Sequence, residues 1–464
     1  MKKEPIYVSE ADKQAVEDAV EAFLLLPKRP QTYHIITYGC QMNAHDSEKL
    51  AGMLQGMGMT EAPDRGEADF VLFNTCCIRD NAERRALGNI NWLRELRKGK
   101  KELIIGVCGC MVQQEHMAEK ILKQYRFIDL AFGTHNLHQL PVLLYQLLNG
   151  RERVVSIMKE ERLIAEGVPV QRLSQTHAYI TIMYGCDNYC SYCVVPQVRG
   201  RERSRRMADI LREAEALYES GVKEITLLGQ NVNSYQGGAG EGFPALIRAL
   251  DGIGIPRIRF MTSHPKDLSD ELIQAMADSK HVCNHFHLPV QSGNDEILRR
   301  MNRGYTRESY LNRVARLREA IPNIGLTTDI IVGFPGETEA QFLDTLSLVE
   351  EVGFDAAFTF IYSPRVGTPA AKMDAQVPKE VCGERFKRLL KAVEASIQRT
   401  HTSLLGQTEH VLIEGLSKRD DTKVSGKGTR SITVTLDGTA KDIGRIIPVH
   451  IVSVAANTLR GERI

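Results

Sequence analysis

Between Tyr33 and Cys110 short apolar runs alternate with longer polar stretches. YHIITYG, ADFVLFNT and LIIGVCG have the length and the β-branched and aromatic content of buried strands. They end at Cys40, Cys76 and Cys110 respectively. The stretches between, residues 46–57 and 81–96, carry helical spacing, the second of them basic. Strands alternating with helices predict a parallel sheet. In open α/β sheets ligands bind beyond the carboxyl ends of strands, so Cys40, Cys76 and Cys110 are expected to converge although far apart in sequence.

A second series of the same rhythm follows. AYITIMYG, EITLLGQ, RIRFMTS, HFHLPV, IGLTTDIIVG and DAAFTFIYS are strand candidates, with helical stretches between most of them. That order predicts a parallel barrel or partial barrel with its site at the C-terminal strand ends. After about Thr400 the helices stop. EHVLIEG, SITVTLD and RIIPVHIVSV are separated only by Gly and Asp turns, the pattern of a small β-barrel. The expected fold class is α/β, in five segments. They are an N-terminal extension over 1–30 (an amphipathic helix at 10–26, then a Pro-rich break), a parallel α/β domain over 31–150, a linker over 151–175, the partial (β/α) barrel over 176–398, and the β-barrel over 399–464.

Composition narrows the function classes. The chain has 464 residues, with 43% hydrophobic and 25% charged positions, which is ordinary for globular proteins. No apolar run reaches the length that crosses a bilayer, and the acidic start is not a secretory leader. A cytoplasmic location and no membrane partner are expected. The net charge of +1 gives no case for nucleic acid, which needs local basic patches. The ten cysteines are more informative, because they are grouped rather than spread as disulfide staples would be. Grouped cysteines in a reducing compartment more often hold metal or do chemistry.

The tightest group is Cys186, Cys190 and Cys193, spaced C-x3-C-x2-C just after a strand. Three thiolates can hold three irons of a 4Fe-4S cube and leave the fourth open to a small molecule. A zinc knuckle closed by a fourth ligand from elsewhere is the alternative, although no Cys or His stands at a usual spacing nearby. A non-enzymatic, zinc-bearing RNA-binding protein is the corresponding alternative of another class.

This spacing, after the first strand of a barrel, resembles the radical S-adenosylmethionine superfamily. The resemblance implies that Cys186, Cys190 and Cys193 form the catalytic 4Fe-4S site, whose open iron binds S-adenosylmethionine and whose electron cleaves it to a deoxyadenosyl radical. The strings ITYGCQMNAHDSE, FNTCCIRDNAER and GVCGCMVQQE are similar to the N-terminal domain of the methylthiotransferases within that superfamily. By that likeness Cys40, Cys76 and Cys110 hold a second 4Fe-4S cluster that supplies sulfur. Cys77 and Cys108 are read as buried hydrophobes, with a ligand swap between neighbours left open. CQMN, YCVVPQVRGRERSR, LLGQNVNSY, FMTSHP, HLPVQSG and DIIVGFPGET resemble the branch that methylthiolates isopentenyladenosine beside the tRNA anticodon, over about residues 33–460. Siblings acting on threonylcarbamoyladenosine or a ribosomal-protein aspartate are the neighbouring alternative. The resemblance further implies two molecules of S-adenosylmethionine per product, an electron donor such as flavodoxin or ferredoxin and a C-terminal TRAM-like RNA-binding barrel; a monomer is expected, although the sequence does not fix the oligomeric state.

Other residues carry weaker expectations. Contacts to S-adenosylmethionine are expected from Gly229 and Gln230, Ser263 and His264, Gln291 and Ser292, and Asp329, all at or near strand ends. GFPGE at 333–337 is a Gly-Pro turn whose backbone can approach a ligand. Arg199, Arg201, Arg203, Arg205 and Arg206 form a basic run that suits RNA phosphate, against the alternative of a salt-bridged face. Lys418, Arg419, Lys423, Lys427, Arg430, Lys441 and Arg445 give the C-terminal barrel a basic character. His281, Cys283, His285 and His287 alternate on one strand face and suit polar contacts inside the barrel better than metal. Tyr184, Tyr189 and Tyr192 are candidates to stack on an everted base.

Overall fold

The computed structural model describes residues 5–77, 80–150, 152–455 and 458–464. Residues 1–4 of the expected extension, Arg151 of the expected linker and residues 456–457 of the expected C-terminal barrel lie outside the described residues. The chain forms two compact units. The first runs to Leu173 and adds Met183–Asp187 and Cys193–Arg205. The second comprises Ser174–Ile182, Asn188–Tyr192 and Arg206–Ile464.

In the first unit, Thr32–Thr37, Phe70–Thr75 and Ile104–Gly109 are neighbouring parallel strands. The sheet has six strands, in the order Thr60–Glu61, Thr32–Thr37, Phe70–Thr75, Ile104–Gly109, Leu130–Phe132 and Val154–Ser156. The apolar runs are continuous because both faces are covered. Phe70, Leu72 and Cys108 point into one core with Phe23, Leu50, Leu54 and Leu144. Val71, Phe73 and Val107 point into the other with Ile90, Leu93 and Ile121. The chain steps from Thr32–Thr37 outward to Thr60–Glu61 and then back past the first strand to Phe70–Thr75. That reversal places a topological switch point between the strands that end before Cys40 and Cys76, where the loops diverge to opposite faces.

Two expectations change here. The residues expected to be a linker contribute the edge strand Val154–Ser156, and Leu163–Ile164 pairs with Ile6–Tyr7. The N-terminal helix, Glu10–Leu24, buries Phe23 in the sheet's core and so is part of the domain, not an appendage. Strands of two and three residues are too short to show a period.

The second unit holds six parallel strands in two sheets of three. His177–Thr181, Glu224–Leu228 and Arg257–Phe260 form one; His285–His287, Gly325–Val332 and Ala356–Ile361 form the other. A parallel bridge between Ile258 and Val282 joins them, giving the expected partial barrel. After the helix Lys379–Thr402 the chain closes a five-stranded barrel from Thr408–Ser417, Asp420–Lys427, Thr433–Asp437, Ile446–Ala455 and Thr458–Arg463. Three of these strands match apolar runs in the sequence. The other two, DDTKVSGK and TLRGER, are polar outside and bury little beyond Val424, Gly426, Leu459 and Gly461.

The β-barrel is seated on the N-terminal strand ends of the partial barrel. Arg257 donates to Lys427 O (2.7 Å) and His410 O. Arg259 donates to Gly428 O (2.7 Å) and Thr429 O (3.1 Å), and to Glu224 Oε2 (2.8 Å). Arg430 pairs with Asp355 at 2.6 Å. The turn 427–430 thereby fills the end of the barrel opposite the strand termini that carry the expected cofactor contacts.

Candidate active site

At the switch point, each of the three dispersed cysteines sits where the backbone changes element. Cys40 is the N-cap of the helix Gln41–Gly56. Cys76 and Cys77 follow strand Phe70–Thr75, and Cys110 opens the one-turn helix Cys110–Gln113. Gly39 precedes Cys40 at φ +132°, and a Cβ there would lie 2.7 Å from Cys76 Cβ and 3.2 Å from its Sγ. Only glycine lets the two loops approach this closely. Gly109, at φ +94°, similarly brings Cys110 against Asn74 and Thr75.

One amide organises the cysteines. Asn43 Oδ1 lies 3.5 Å from Cys40 Sγ and 4.0 Å from Cys110 Sγ. Its Nδ2 donates to Thr75 O (3.0 Å) and Asn74 Oδ1 (3.2 Å), and Asn74 donates back to Asn43 O (2.8 Å). All three of these partners are fully buried. Arg199 completes the wall: its Nε donates to Cys110 Sγ at 3.2 Å, and its Nη2 reaches Asn43 Oδ1 at 3.2 Å and Asp46 Oδ2 at 2.7 Å. Burial pushes the Cys110 thiol up to about 12, with Arg199 opposing and Cys76 and Cys40 adding to the rise. A bare thiol there keeps its proton, whereas a coordinated one loses it.

Cys108 does not join this group. Its side chain lies in the hydrophobic core of the sheet, and burial raises its pKa strongly. Cys77 packs in a small apolar cluster with Cys110, Val194 and Val198. Cys76 is the member of its pair that lies against Gly39, next to Cys40, and Cys110 the member of its pair that shares Asn43 with Cys40.

The triplet is divided between the units, Cys186 and Cys193 with the first and Cys190 with the second. In the first, the amide of Cys186 donates to Gly200 O at 3.2 Å, next to the two-residue ladder between Met183–Tyr184 and Arg203–Ser204. In the second, Cys190 is buried and its Sγ accepts from Arg303 Nη1 at 3.3 Å. Arg303 also donates to Pro289 O (2.8 Å) and Tyr305 OH (3.0 Å). It ties the cysteine to the end of the fourth barrel strand. Among the described residues no group of three or more His, Cys, Asp or Glu is arranged to hold a single metal ion. In a 4Fe-4S cube each thiolate binds a different iron, so its ligands stand farther apart than those of one ion. The donor sets here are all thiols, with N–H donors aimed at the sulfurs of Cys110 and Cys190, and fit such clusters.

The residues expected to meet S-adenosylmethionine lie on successive strands of the partial barrel, most just past their C-terminal ends. His264 is buried, and its Nδ1 accepts from the amide of Lys266 (3.2 Å). The ring proton is then on Nε2, which is buried with no hydrogen-bond partner. Burial, with Arg303, Lys266 and Arg313 nearby, holds this histidine down to about 2. Gln230 Oε1 is likewise a buried acceptor without a partner. Gln291 adopts φ +69° and binds Asp329 O through its amide (2.8 Å). Asp329 lies 3.7 Å from His287 Nε2. Gly229 directly follows the strand Glu224–Leu228 and precedes Gln230. Ser263 and Ser292 are already bonded, to His287 O and near Thr345 Oγ1 (3.4 Å).

Three family models match successive parts of the chain. Residues 32–133 match the Uncharacterized protein family UPF0004, residues 180–349 the Radical SAM superfamily, and residues 402–464 the TRAM domain. A tRNA-2-methylthio-N(6)-dimethylallyladenosine synthase from Caldicellulosiruptor saccharolyticus is 52% identical over 94% of this chain and 93% of its own. One from Alkaliphilus oremlandii is 49% identical over 100% and 99%. The chain belongs to the tRNA-2-methylthio-N(6)-dimethylallyladenosine synthase family. Among solved structures, the radical S-adenosylmethionine methyltransferase TsrM from Kitasatospora setae, with cobalamin and a 4Fe-4S cluster bound, superposes at TM-score 0.53. It shares 16% identity over 74% of this chain and 77% of its own, a likeness of fold.

For this member of the synthase family, several sequence readings need correction. Of the five arginines expected to meet RNA phosphate, three are buried. Arg199 is in the cysteine network. Arg203 donates to Leu163 O (3.0 Å) and Arg199 O (2.9 Å), and Arg205 pairs with Glu166 at 2.6 Å. Arg201 and Arg206 are exposed. Arg430 is spent on Asp355, whereas Lys418, Arg419 and Lys441 are exposed. The GFPGE turn is closed on itself, Gly333 N donating to Glu337 Oε2 (2.8 Å) and Glu337 pairing with Arg385. His285 and His287 both bond Thr327 Oγ1 at 3.0 Å, and His281 bonds Asp251. Tyr184 lies under the Arg203 guanidinium, and Tyr192 packs on the core cluster around Phe334.

Asn43, Asp46, Arg303 and Tyr305 were not singled out from the sequence. Asn43 and Asp46 carry a signal: they follow Cys40 by three and six residues, one face of a helix that begins at the cysteine. Arg303 and Tyr305 carry none, being brought to Cys190 only by the fold.

Proposed function

We propose that Cys186, Cys190 and Cys193 hold one 4Fe-4S cluster and Cys40, Cys76 and Cys110 a second, in an enzyme that methylthiolates tRNA. The chain is a radical S-adenosylmethionine methylthiotransferase that converts N6-isopentenyladenosine in tRNA to its 2-methylthio derivative. That reaction removes hydrogen from carbon 2 of the adenine and adds sulfur and a methyl group there. It needs a hydrogen-atom acceptor, a sulfur donor and a methyl donor, all of which the two clusters and two molecules of S-adenosylmethionine supply when bound.

The protein's own part is positioning and exclusion. Nε2–H of His264 offers a donor, and Oε1 of Gln230 an acceptor, past the strand ends of the barrel, and Asp329, beside His287, offers a carboxylate. Gly229, Ser263, Gln291 and Ser292 shape the backbone around them. Arg303 fixes the Cys190 sulfur against the same wall. Asn43 and the two glycines hold the second set of thiols together, with Cys76 and Cys110 buried and Cys40 at the exposed edge. The adenine has to leave the anticodon-loop stack to be reached. Exposed Arg201, Arg206, Lys418, Arg419 and Lys441 are suited to the RNA backbone. An electron donor such as a flavodoxin or ferredoxin completes the reading.

The observation that carries the two-cluster assignment is the sharing of Asn43 Oδ1 by Cys40 and Cys110, with Cys76 wedged against Gly39. The test is anaerobic incubation with reductant, S-adenosylmethionine and isopentenyladenosine-containing tRNA, followed by mass spectrometry of nucleosides. Wild type should yield the methylthio nucleoside. Cys190→Ala should abolish cofactor cleavage, and Cys76→Ala should keep some cleavage but transfer no sulfur. Full transfer by Cys76→Ala would refute the second site.

A further inference from the structure

Arg199 has an environment that neither RNA binding nor simple structural support accounts for. Its side chain is 6% exposed, and Asp46, its ion-pair partner, is 3% exposed. It ends the short helix Val195–Arg199, six positions after Cys193. Its backbone carbonyl is held by Arg203 Nη1 at 2.9 Å. One edge of the guanidinium faces Cys110 Sγ through Nε; Nη2 reaches both Asn43 Oδ1 and Asp46 Oδ2. Only a planar fork makes these three contacts together; an ammonium on a flexible stem does not reproduce the set.

Burying a guanidinium away from water is costly unless charge and hydrogen bonds compensate. Asp46 cancels its charge, so the N–H···S bond is not needed for neutrality. Its effect falls on the sulfur. Hydrogen bonds to cluster sulfurs and nearby charge are among the factors that set a cluster's reduction potential. A donor and a positive charge favour the reduced, more negative form; a carboxylate opposes it.

We infer that Arg199 is a positioning residue for the N-terminal cluster, fixing Cys110 by a buried N–H···S bond and, in balance with Asp46, setting how readily that cluster accepts an electron. This rests on the two-cluster reading. The same segment carries Cys193, so the geometry of one cluster's ligand and the electrostatics of the other are joined by one short helix.

The experiment uses full-length protein with Cys186, Cys190 and Cys193 all changed to Ala, reconstituted anaerobically so that only the N-terminal cluster can form. Iron analysis comes first, then redox titration followed by electron paramagnetic resonance. Arg199→Met should lower the midpoint by about 59 mV or more, a tenfold change in the ratio of oxidised to reduced cluster for one electron. Asp46→Asn should raise it. Arg199→Lys, which keeps the charge and loses the fork, should fall between Met and wild type. Opposite signs for the Arg199 and Asp46 variants are what a merely structural role does not produce. If Arg199→Met fails to load iron, the Lys and Asp46 variants decide. Iron uptake with midpoints unmoved, or both moved the same way, overturns the inference. No iron uptake in the triple-alanine parent sinks the two-cluster reading, and the inference with it. In otherwise wild-type enzyme, Arg199→Met should leave the salt dependence of tRNA binding unchanged; a reduced slope would instead restore the phosphate role.

Discussion

Two carboxylates, Glu224 and Asp355, anchor the junction between the partial barrel and the β-barrel, and Glu224 serves two arginines at once. Glu224, 4% exposed, accepts from Arg259 Nε at 2.8 Å and lies 3.7 Å from Arg257 Nη1. Both guanidiniums point their remaining donors at carbonyls of the turn 427–430 and of His410. Changing Glu224 to Gln preserves shape and some hydrogen bonding but removes the one carboxylate that bonds Arg259 and lies nearest Arg257, leaving them only the weaker fields of Glu409 and Glu414. Removing one partner of a buried ion pair costs about 3–5 kcal/mol. When the β-barrel lifts off, water reaches both arginines, so most of that cost appears in the docking equilibrium. At about 1.4 kcal/mol per tenfold, the undocked population should rise by about a hundred- to a few-thousand-fold. Hydrogen–deuterium exchange reads this directly, because slow amides exchange in proportion to the open population when closing is fast. Peptides covering 254–260 and 427–433 should exchange faster by that factor, while the far half of the core strand, residues 328–332, keeps its protection. Glu296→Gln, at an exposed helical pair, is the control and should change nothing. An increase below tenfold at the junction, or an equal increase across the unit, would refute the reasoning.

Two shorter predictions concern the sites themselves. Gly39→Ala forces a Cβ to 2.7 Å from Cys76 Cβ at a φ that side chains avoid; iron bound by protein lacking the Cys186, Cys190 and Cys193 thiols should fall sharply, while cofactor cleavage in otherwise wild-type enzyme persists. His264→Phe keeps the ring and removes the Nε2 donor; affinity for S-adenosylmethionine, measured calorimetrically on cluster-loaded protein, should drop about three- to tenfold, the worth of one hydrogen bond, with iron content unchanged.

How far the sequence speaks depends on whether a property is local. A strand covered on both faces is apolar throughout, so VLFN and IIGV announce themselves, and so does the cysteine that ends each run. The three-thiol loop is legible for the same reason: its ligands are close in sequence. The direction of a side chain is not local. RGRERSRR reads as a surface charge run, yet Arg203 pairs in a two-residue ladder and Arg199 is the buried last residue of a short helix, and nothing in their spacing says so. The missed strands of the C-terminal barrel fail in a different way. A closed barrel of this size buries alternate positions only, and DDTKVSGK fills its few inward places with Val424 and Gly426, too little to show a period. Arg303 is the extreme case, its link to Cys190 spanning over a hundred residues.

The seat of the β-barrel bears on how the substrate is gripped. Its turn 427–430 occupies the N-terminal ends of the strands, beside Glu224, Arg257, Gly325 and Asp355. His264, Gln230 and Gln291 sit past the opposite ends. The longest strand of the partial barrel, Gly325–Val332, has eight residues and spans about 26 Å at about 3.3 Å per residue. A base reacting at the mouth is therefore separated from this junction by the depth of the barrel. RNA held near the junction reaches the mouth only if it extends over at least that length, which a stem with its loop does and an isolated nucleoside does not. Loss of the β-barrel's seat should then weaken capture of tRNA while leaving cofactor cleavage at the mouth intact. The Glu224→Gln protein separates these two effects in one preparation.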